Sequence, residues 1–221
     1  MSVVGNAREW IELLEQMLPE LLKLVVETWQ SVAKPFTNTR EDDITRVFCG
    51  ALRRNRSVRE LPFYVQLQMV ELDDSLSQEL GRMDIAFLPT SVSGSPNESI
   101  YFCLECKRLN VIINGKRRPG GSDYVVHGMM RFVTGQYANT VRHGGMLGDV
   151  IDGKITAALK NVQTNVGRRH RLLGMQPPGT LRQSTILAGL AAARESDHER
   201  ATGSSPFRLH HIFVDALGAA V

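Results

Sequence analysis

Ile100-Tyr101-Phe102-Cys103-Leu104-Glu105-Cys106-Lys107 is an apolar, aromatic and β-branched run that ends in charge, and its companion upstream is Gly81-Arg82-Met83-Asp84-Ile85-Ala86-Phe87. Both read as strands, Ile100–Lys107 and Met83–Leu88. Strand side chains alternate, so Phe102, Leu104 and Cys106 share one face while Cys103, Glu105 and Lys107 share the other. Charge on a strand that is otherwise core material is a conflict between levels, and such conflicts mark functional sites. If the two strands form a hairpin with Leu88 opposite Tyr101, Asp84 falls opposite Glu105. Directly opposed residues hold their Cβ atoms about 4.5–5.5 Å apart. Two carboxylates that close repel unless a cation lies between them. A few oxygen ligands plus water and phosphate is how Mg²⁺ or Mn²⁺ is held, and the backbone carbonyl of Cys106 offers one more oxygen. Lys107 on the same face would orient a water, lower its pKa or neutralise charge developing on a phosphate.

Outward from this pair, the N-terminal segment has apolar residues at Trp10, Leu13, Leu14, Met17, Leu18, Leu21, Leu22, Val25 and Trp29. That is helical spacing, and Pro19 inside it predicts a kink or a break. Residues 1–36 are therefore a helical extension, and residues 37–221 the main domain. A second helix begins near Thr39, its expected N-cap, and places Glu41 in its first turn. The alternation Phe63, Val65, Leu67, Met69 gives a strand before the Asp84 strand, with a turn at Asp73-Asp74-Ser75. The stretch from Pro89 to Asn97 is a polar hairpin loop. After Lys107 comes a basic, glycine-rich segment with Lys116, Arg117 and Arg118, expected to be a flexible loop that orders on substrate. Asp123 is expected to cap a helix over Tyr124–Ala138 that carries Arg131, Gln136 and Tyr137. Met146–Ile151 reads as a strand, Gly153–Val166 as a helix, Leu181–Ala192 as either, Ser196–Ser205 as a polar loop and Leu209–Leu217 as a last strand. The class is α/β, a central mixed sheet flanked by helices.

Charge is unevenly spread. Residues 1–106 hold 10 Lys+Arg against 16 Asp+Glu, whereas residues 107–182 hold 13 against 3. A basic block directly after an acidic pair fits a polyanion held by the first and cut at the second. The three cysteines, Cys49, Cys103 and Cys106, and a start without a basic, then apolar, leader point to a reducing cytoplasm. No apolar run has the length of a membrane span.

Helix, strand, Asp-bearing strand, Glu-x-Lys strand, helix, strand resembles the PD-(D/E)XK nuclease superfamily, the restriction-endonuclease-like fold, over about residues 39–165. Asp84 matches the motif aspartate, Glu105 and Lys107 the (D/E)XK, and Glu41 the acid that many members carry on the first core helix. Met83 stands where the motif proline would be. The resemblance implies Mg²⁺-dependent hydrolysis of nucleic-acid phosphodiesters, DNA more than RNA. Asp84, Glu105, Glu41 and the Cys106 carbonyl would hold metal, and Lys107 would assist the water. Arg108, Lys116, Arg117, Arg118, Arg131, Gln136 and Tyr137 would contact nucleic acid. A free nuclease would harm its cell, which points to antiphage defence under a protein partner or as a homodimer. The rival is a catalytically silent nucleic-acid-binding or scaffold subunit.

Other motifs lead elsewhere. Cys103 and Cys106 lie an odd number apart on a strand, so their thiols diverge and cannot share a metal. His210 and His211 also diverge, one expected inside and one outside. Gly144-Gly145-Met146-Leu147-Gly148 lacks dinucleotide or P-loop spacing, and no nucleophile elbow is present. Asp149 and Asp152 read as turn residues.

Overall fold

Apolar residues at helical spacing build α1 (Ala7–Ser31) as one unbroken helix that contains Pro19. The computed structural model describes residues 7–73, 78–90 and 100–218. The expected turn beyond Asp73 and nearly all of the loop between Pro89 and Asn97 lie outside these. Next come α2 (Glu41–Arg54), α3 (Arg56–Glu60), β1 (Phe63–Asp73), β2 (Gln78–Pro89), β3 (Phe102–Leu109), β4 (Val111–Ile113) and β5 (Lys116–Arg118). A helical segment follows, made of α4 (Gly121–Tyr124), a π-helical stretch (Val125–Met129) and α5 (Met130–Val133). The chain continues through β6 (His143–Val150), α6 (Ile155–Arg169), β7 (Arg182–Gln183), β8 (Ala193–His198) and β9 (Phe207–Asp215).

Seven strands form one mixed sheet in the order β1-β2-β3-β6-β9-β8-β7. β1, β2 and β3 are antiparallel neighbours, β6 is parallel to β3, β9 is parallel to β6, and β8 and β7 return antiparallel. The inner strands β3, β6 and β9 are buried along most of their length, as a sheet covered on both faces requires. Trp10, Leu14, Leu18, Leu21 and Trp29 of α1 join the same core as the sheet, and the Trp29 indole N–H donates to the Asp215 carbonyl at 3.0 Å. The π-helical stretch crosses the Glu105 face of the sheet. At Gly128 a Cβ would come within 2.5 Å of the end of the Met146 side chain, so any larger residue would require that flexible side chain to move.

Several expectations are corrected. Arg40, not Thr39, is the N-cap of α2 and makes no side-chain cap, so the helix begins one residue later. Asp123 lies within α4, whose N-cap is Gly120 at φ +77°, and the helical segment ends at Val133 rather than Ala138. The basic segment is not a loop but the two-stranded ribbon β4–β5. β8 occupies part of the expected polar loop, and α3 was not foreseen. His210 and His211 are both buried, because β9 is an inner strand covered on both faces. His211 meets the Tyr124 hydroxyl at 3.0 Å and Ser196 Oγ at 2.8 Å, and Ser196 Oγ meets His198 at 2.7 Å. Asp149 is no turn residue but lies inside β6, fully buried. Asp152 does serve a turn, its Oδ1 accepting from the Lys154 N–H at 3.1 Å. Among the described residues no helix is long and apolar enough to cross a membrane.

Arg200 fastens the loop that follows α5. Its guanidinium donates to the carbonyls of Ala138 at 3.0 Å, Val141 at 3.1 Å and Ser204 at 2.6 Å, and stacks 4.1 Å from the Phe207 ring centre. Replacing it by leucine would take the guanidinium donor from the buried Val141 carbonyl and from the half-buried Ser204 carbonyl, and leave Ala138 only the Val141 N–H at 3.4 Å. Arg200→Leu is expected to lower unfolding stability by about 3 kcal/mol, measured by urea denaturation; a loss under ~1 kcal/mol would contradict this role.

Candidate functional site

β2 and β3 pair through Ile85↔Leu104, Ala86↔Cys103 and Phe87↔Phe102, which is the expected register. The ladder stops there, while the β1–β2 pairing runs on to Asp73↔Gln78. The sheet therefore forks immediately beyond Ile85. Asp84 stands at the fork on β2, and Glu105 and Lys107 follow it on β3. Asp84 Oδ2 accepts the Cys106 backbone N–H at 2.7 Å, across the gap that the ladder leaves open.

Glu105 is 1% exposed. Its Oε1 takes Lys107 Nζ at 2.9 Å and Arg131 Nη1 at 2.8 Å, while its Oε2 has no partner. Lys107 Nζ also reaches Glu41 Oε1 at 3.0 Å and the Cys106 carbonyl at 2.9 Å. Glu41 Oε2 accepts the Arg108 N–H at 2.9 Å, so the first turn of α2 is bound to the end of β3. The Cys106 side chain points the other way, towards Thr45 of α2, as strand alternation requires.

Burial and crowding raise the carboxyl pKa values. Desolvation, then the nearby Asp84 charge, pushes Glu105 up to about 7 despite Lys107 and Arg131. Desolvation also raises Asp84, opposed by Lys107 and the Cys106 N–H. Burial alone would lower Lys107, but Glu105, Glu41 and Asp84 together hold it above its ordinary value, so it stays an ammonium. Carboxyls that resist ionisation, one of them with a buried oxygen that has no partner, form a site where added positive charge is favourable. Among the described residues no group of three or more His, Cys, Asp or Glu side chains is clustered to hold a metal ion by itself.

The structure thus brings Asp84, Glu105, Lys107 and Glu41 together. Arg131 joins them, as an ion-pair partner of Glu105. Arg131 Nη1 also donates to the Tyr137 hydroxyl at 2.9 Å. The Tyr137 hydroxyl in turn donates to the Arg82 carbonyl, and Gln136 Nε2 donates to the Leu80 carbonyl. Gln136 and Tyr137 therefore brace the free part of β2 beyond the fork. Arg108 donates to the Thr39 carbonyl at 2.9 Å, and its Nε is buried without a partner. Lys116, Arg117 and Arg118 stand apart from this cluster, exposed on the ribbon.

Asp149 is the acid that sequence reasoning placed wrongly. It pairs in register with Arg108, and neither of its carboxylate oxygens has a hydrogen-bond partner. Desolvation, then Glu41 and Asp84, pushes its pKa well up. The only signal in the sequence was a charged residue near the end of an apolar strand, the same signal that Glu105 gives. No protein-family model matches the chain, and comparisons with curated proteins and with solved structures return no match.

The raised Asp149 pKa has a definite sign. The unfolded chain loses this proton near pH 4 and the folded chain keeps it, so the carboxyl costs stability increasingly as pH rises above that point. Asp149→Asn removes the cost and is expected to raise stability at pH 7, with the gain shrinking towards pH 4. Thermal unfolding across that range measures it; a gain independent of pH would refute a neutral buried carboxyl.

Proposed function

We propose that this chain is a Mg²⁺- or Mn²⁺-dependent nuclease with a restriction-endonuclease-like core. The observation that carries the reading is the fork between β2 and β3, where Asp84, Glu105 and Lys107 gather and one buried Glu105 oxygen has no partner. The order α2, β1, β2, β3, helical segment, β6, with β6 parallel to β3, agrees with the core that the sequence resembles.

A divalent cation fits the donor set. Glu105 Oε2 and the Asp84 carboxylate would hold it, with the Cys106 carbonyl as a further oxygen and water and phosphate completing the shell, since Mg²⁺ is commonly bound by one or two carboxylates. When bound it would polarise a phosphoryl oxygen and acidify a water. Glu41, whose two oxygens hold Lys107 and the Arg108 N–H, positions the lysine. Lys107 remains protonated and is therefore no general base. It donates hydrogen bonds to charge that builds on the phosphate during attack. Arg131 sits where it can pass from Glu105 to a substrate phosphate once a cation neutralises Glu105.

The test is cleavage of plasmid, linear and single-stranded DNA and of RNA, with Mg²⁺, Mn²⁺ or EDTA. Asp84→Asn, Glu105→Gln and Lys107→Ala are each expected to lower the rate at least ~100-fold, the scale of losing one preorganised electrostatic group. Cutting that persists in EDTA or in these variants would refute the mechanism. Metal-independent binding with no cutting would identify the silent, binding-only subunit instead.

Glu105 must lose its proton to hold a cation. With its pKa near 7, Mg²⁺ affinity is expected to rise between pH 6 and pH 8. Calorimetric titration measures this; an affinity flat across that range would exclude Glu105 as a ligand.

A further inference from the structure

Among the described residues the β4–β5 ribbon pairs with no strand of the main sheet, and it begins four residues after Lys107 of Glu-x-Lys. Asn114 and Gly115 close it, both with positive φ (49° and 71°), the two-residue turn that matches strand twist. Val111 faces Arg118, Ile112 faces Arg117 and Ile113 faces Lys116. Directly opposed residues share a face, so Ile112 and Arg117 lie on one side, and Ile113, Lys116 and Arg118 on the other.

The ribbon's root is rigid. The buried Asn110 donates its backbone N–H to the Pro119 carbonyl at 3.1 Å and its side-chain amide to Asp152 Oδ1 at 2.9 Å. Gly120 lies against the Arg108 carbonyl, where a Cβ would come within 2.7 Å. Fixed at both ends, the ribbon continues from the end of β3, the strand that carries Glu105 and Lys107.

What it projects is chemically specific. Lys116, Arg117 and Arg118 are all exposed, and no acid occurs in the sequence between Lys107 and Ser122; Arg117 has one long ion pair, 3.8 Å to Asp152 at the ribbon's root. Ile112 and Ile113 are also exposed, at 45% and 40%, although each sits opposite a cation. A purely solvated arm has no need of two large apolar side chains near its tip, and a polyanion alone would leave them in water. Cations flanking apolar side chains match a duplex groove, where phosphates line the rims and base edges, including thymine methyls, form the floor.

Resting on the nucleic-acid reading above, we propose that the β4–β5 ribbon enters the major groove of B-form DNA. Two strands lie about 4.8 Å apart and three residues extend about 10 Å. The B-form major groove, about 12 Å wide and 8.5 Å deep, admits a two-stranded ribbon. The deep, narrow major groove of A-form RNA does not. Entering tip first, the ribbon turns one face to each wall of the groove: Ile112 with Arg117 meets the base edges and phosphates of one strand, and Ile113 with Lys116 and Arg118 those of the other.

Binding of the full chain, measured by fluorescence anisotropy in EDTA, tests this without cleavage. The probes are a DNA duplex, an RNA duplex of the same sequence and single-stranded DNA. The wild type is expected to favour the DNA duplex over the RNA duplex at least ~10-fold. The triple variant Lys116→Ala, Arg117→Ala, Arg118→Ala is expected to weaken DNA binding and to flatten the slope of log affinity against log salt by about 2.7, or 0.9 per phosphate contact. Ile112→Ser with Ile113→Ser is expected to weaken DNA-duplex binding several-fold with the slope unchanged and RNA binding unaffected. Equal affinity for the two duplexes, variants that bind DNA as the wild type does, or no binding to any probe would each overturn the proposal. The nuclease reading fails separately: duplex binding of the expected pattern without metal-dependent cutting would refute catalysis and support the ribbon. Cutting with an unchanged KM in the triple variant would refute the ribbon and leave catalysis standing.

Discussion

An ammonium taken out of water needs several acceptors, and the ends of two elements are arranged around that need at Lys107. Its Nζ gathers Glu105 from its own strand, Glu41 from α2 and the Cys106 carbonyl. The lysine therefore fixes where α2 begins relative to β3. Arg131 supplies a second cation to the same Glu105 oxygen and ties the helical segment to it. Breaking one partner of such a network leaves an uncompensated buried charge, a far larger cost than the pair's net contribution.

The fork makes room for this network. In the paired part of β2 and β3, Ile85, Ala86 and Phe87 face Leu104, Cys103 and Phe102, and all six side chains are buried as core. Beyond Ile85 the strands part, and Asp84 accepts the Cys106 N–H that would otherwise lack a partner. Tyr137 and Gln136 satisfy the Arg82 and Leu80 carbonyls on the other side of the gap. Both edges of the opening are thus held by side chains instead of strand pairing, which lets charged groups lie deep in a sheet without stranding its backbone.

Much of this was legible because it rests on local rules. Period-two alternation separated Glu105 and Lys107 from Cys106, and hairpin register aligned Asp84 with Glu105. The errors come from polar residues that are buried because distant partners satisfy them. β8 reads as loop since Glu195, Ser196 and His198 are polar, yet Arg182, Thr185 and His211 lie ready to pair with them. Asp149 reads as a turn residue since nothing in its neighbours announces that β6 is central. The ribbon reads as a loop since strands of three residues are too short for a periodic signal. Arg131 was foreseen near the site, but its bond to Glu105 depends on where the helical segment lies.

The π-helical stretch over Val125–Met129 carries a consequence for how this chain tolerates length changes. A π turn holds one residue more than an α turn, so it absorbs an insertion without displacing what lies on either side. Removing a single residue there would restore ordinary helix and leave what lies on either side in place, so Arg131 would still face Glu105. Removing one from an ordinary α-helical turn would instead rotate everything beyond it by about 100° about the axis. The stretch thus uncouples chain length from side-chain direction just ahead of Arg131, and it is where this segment tolerates a one-residue deletion with the carboxylate cluster intact.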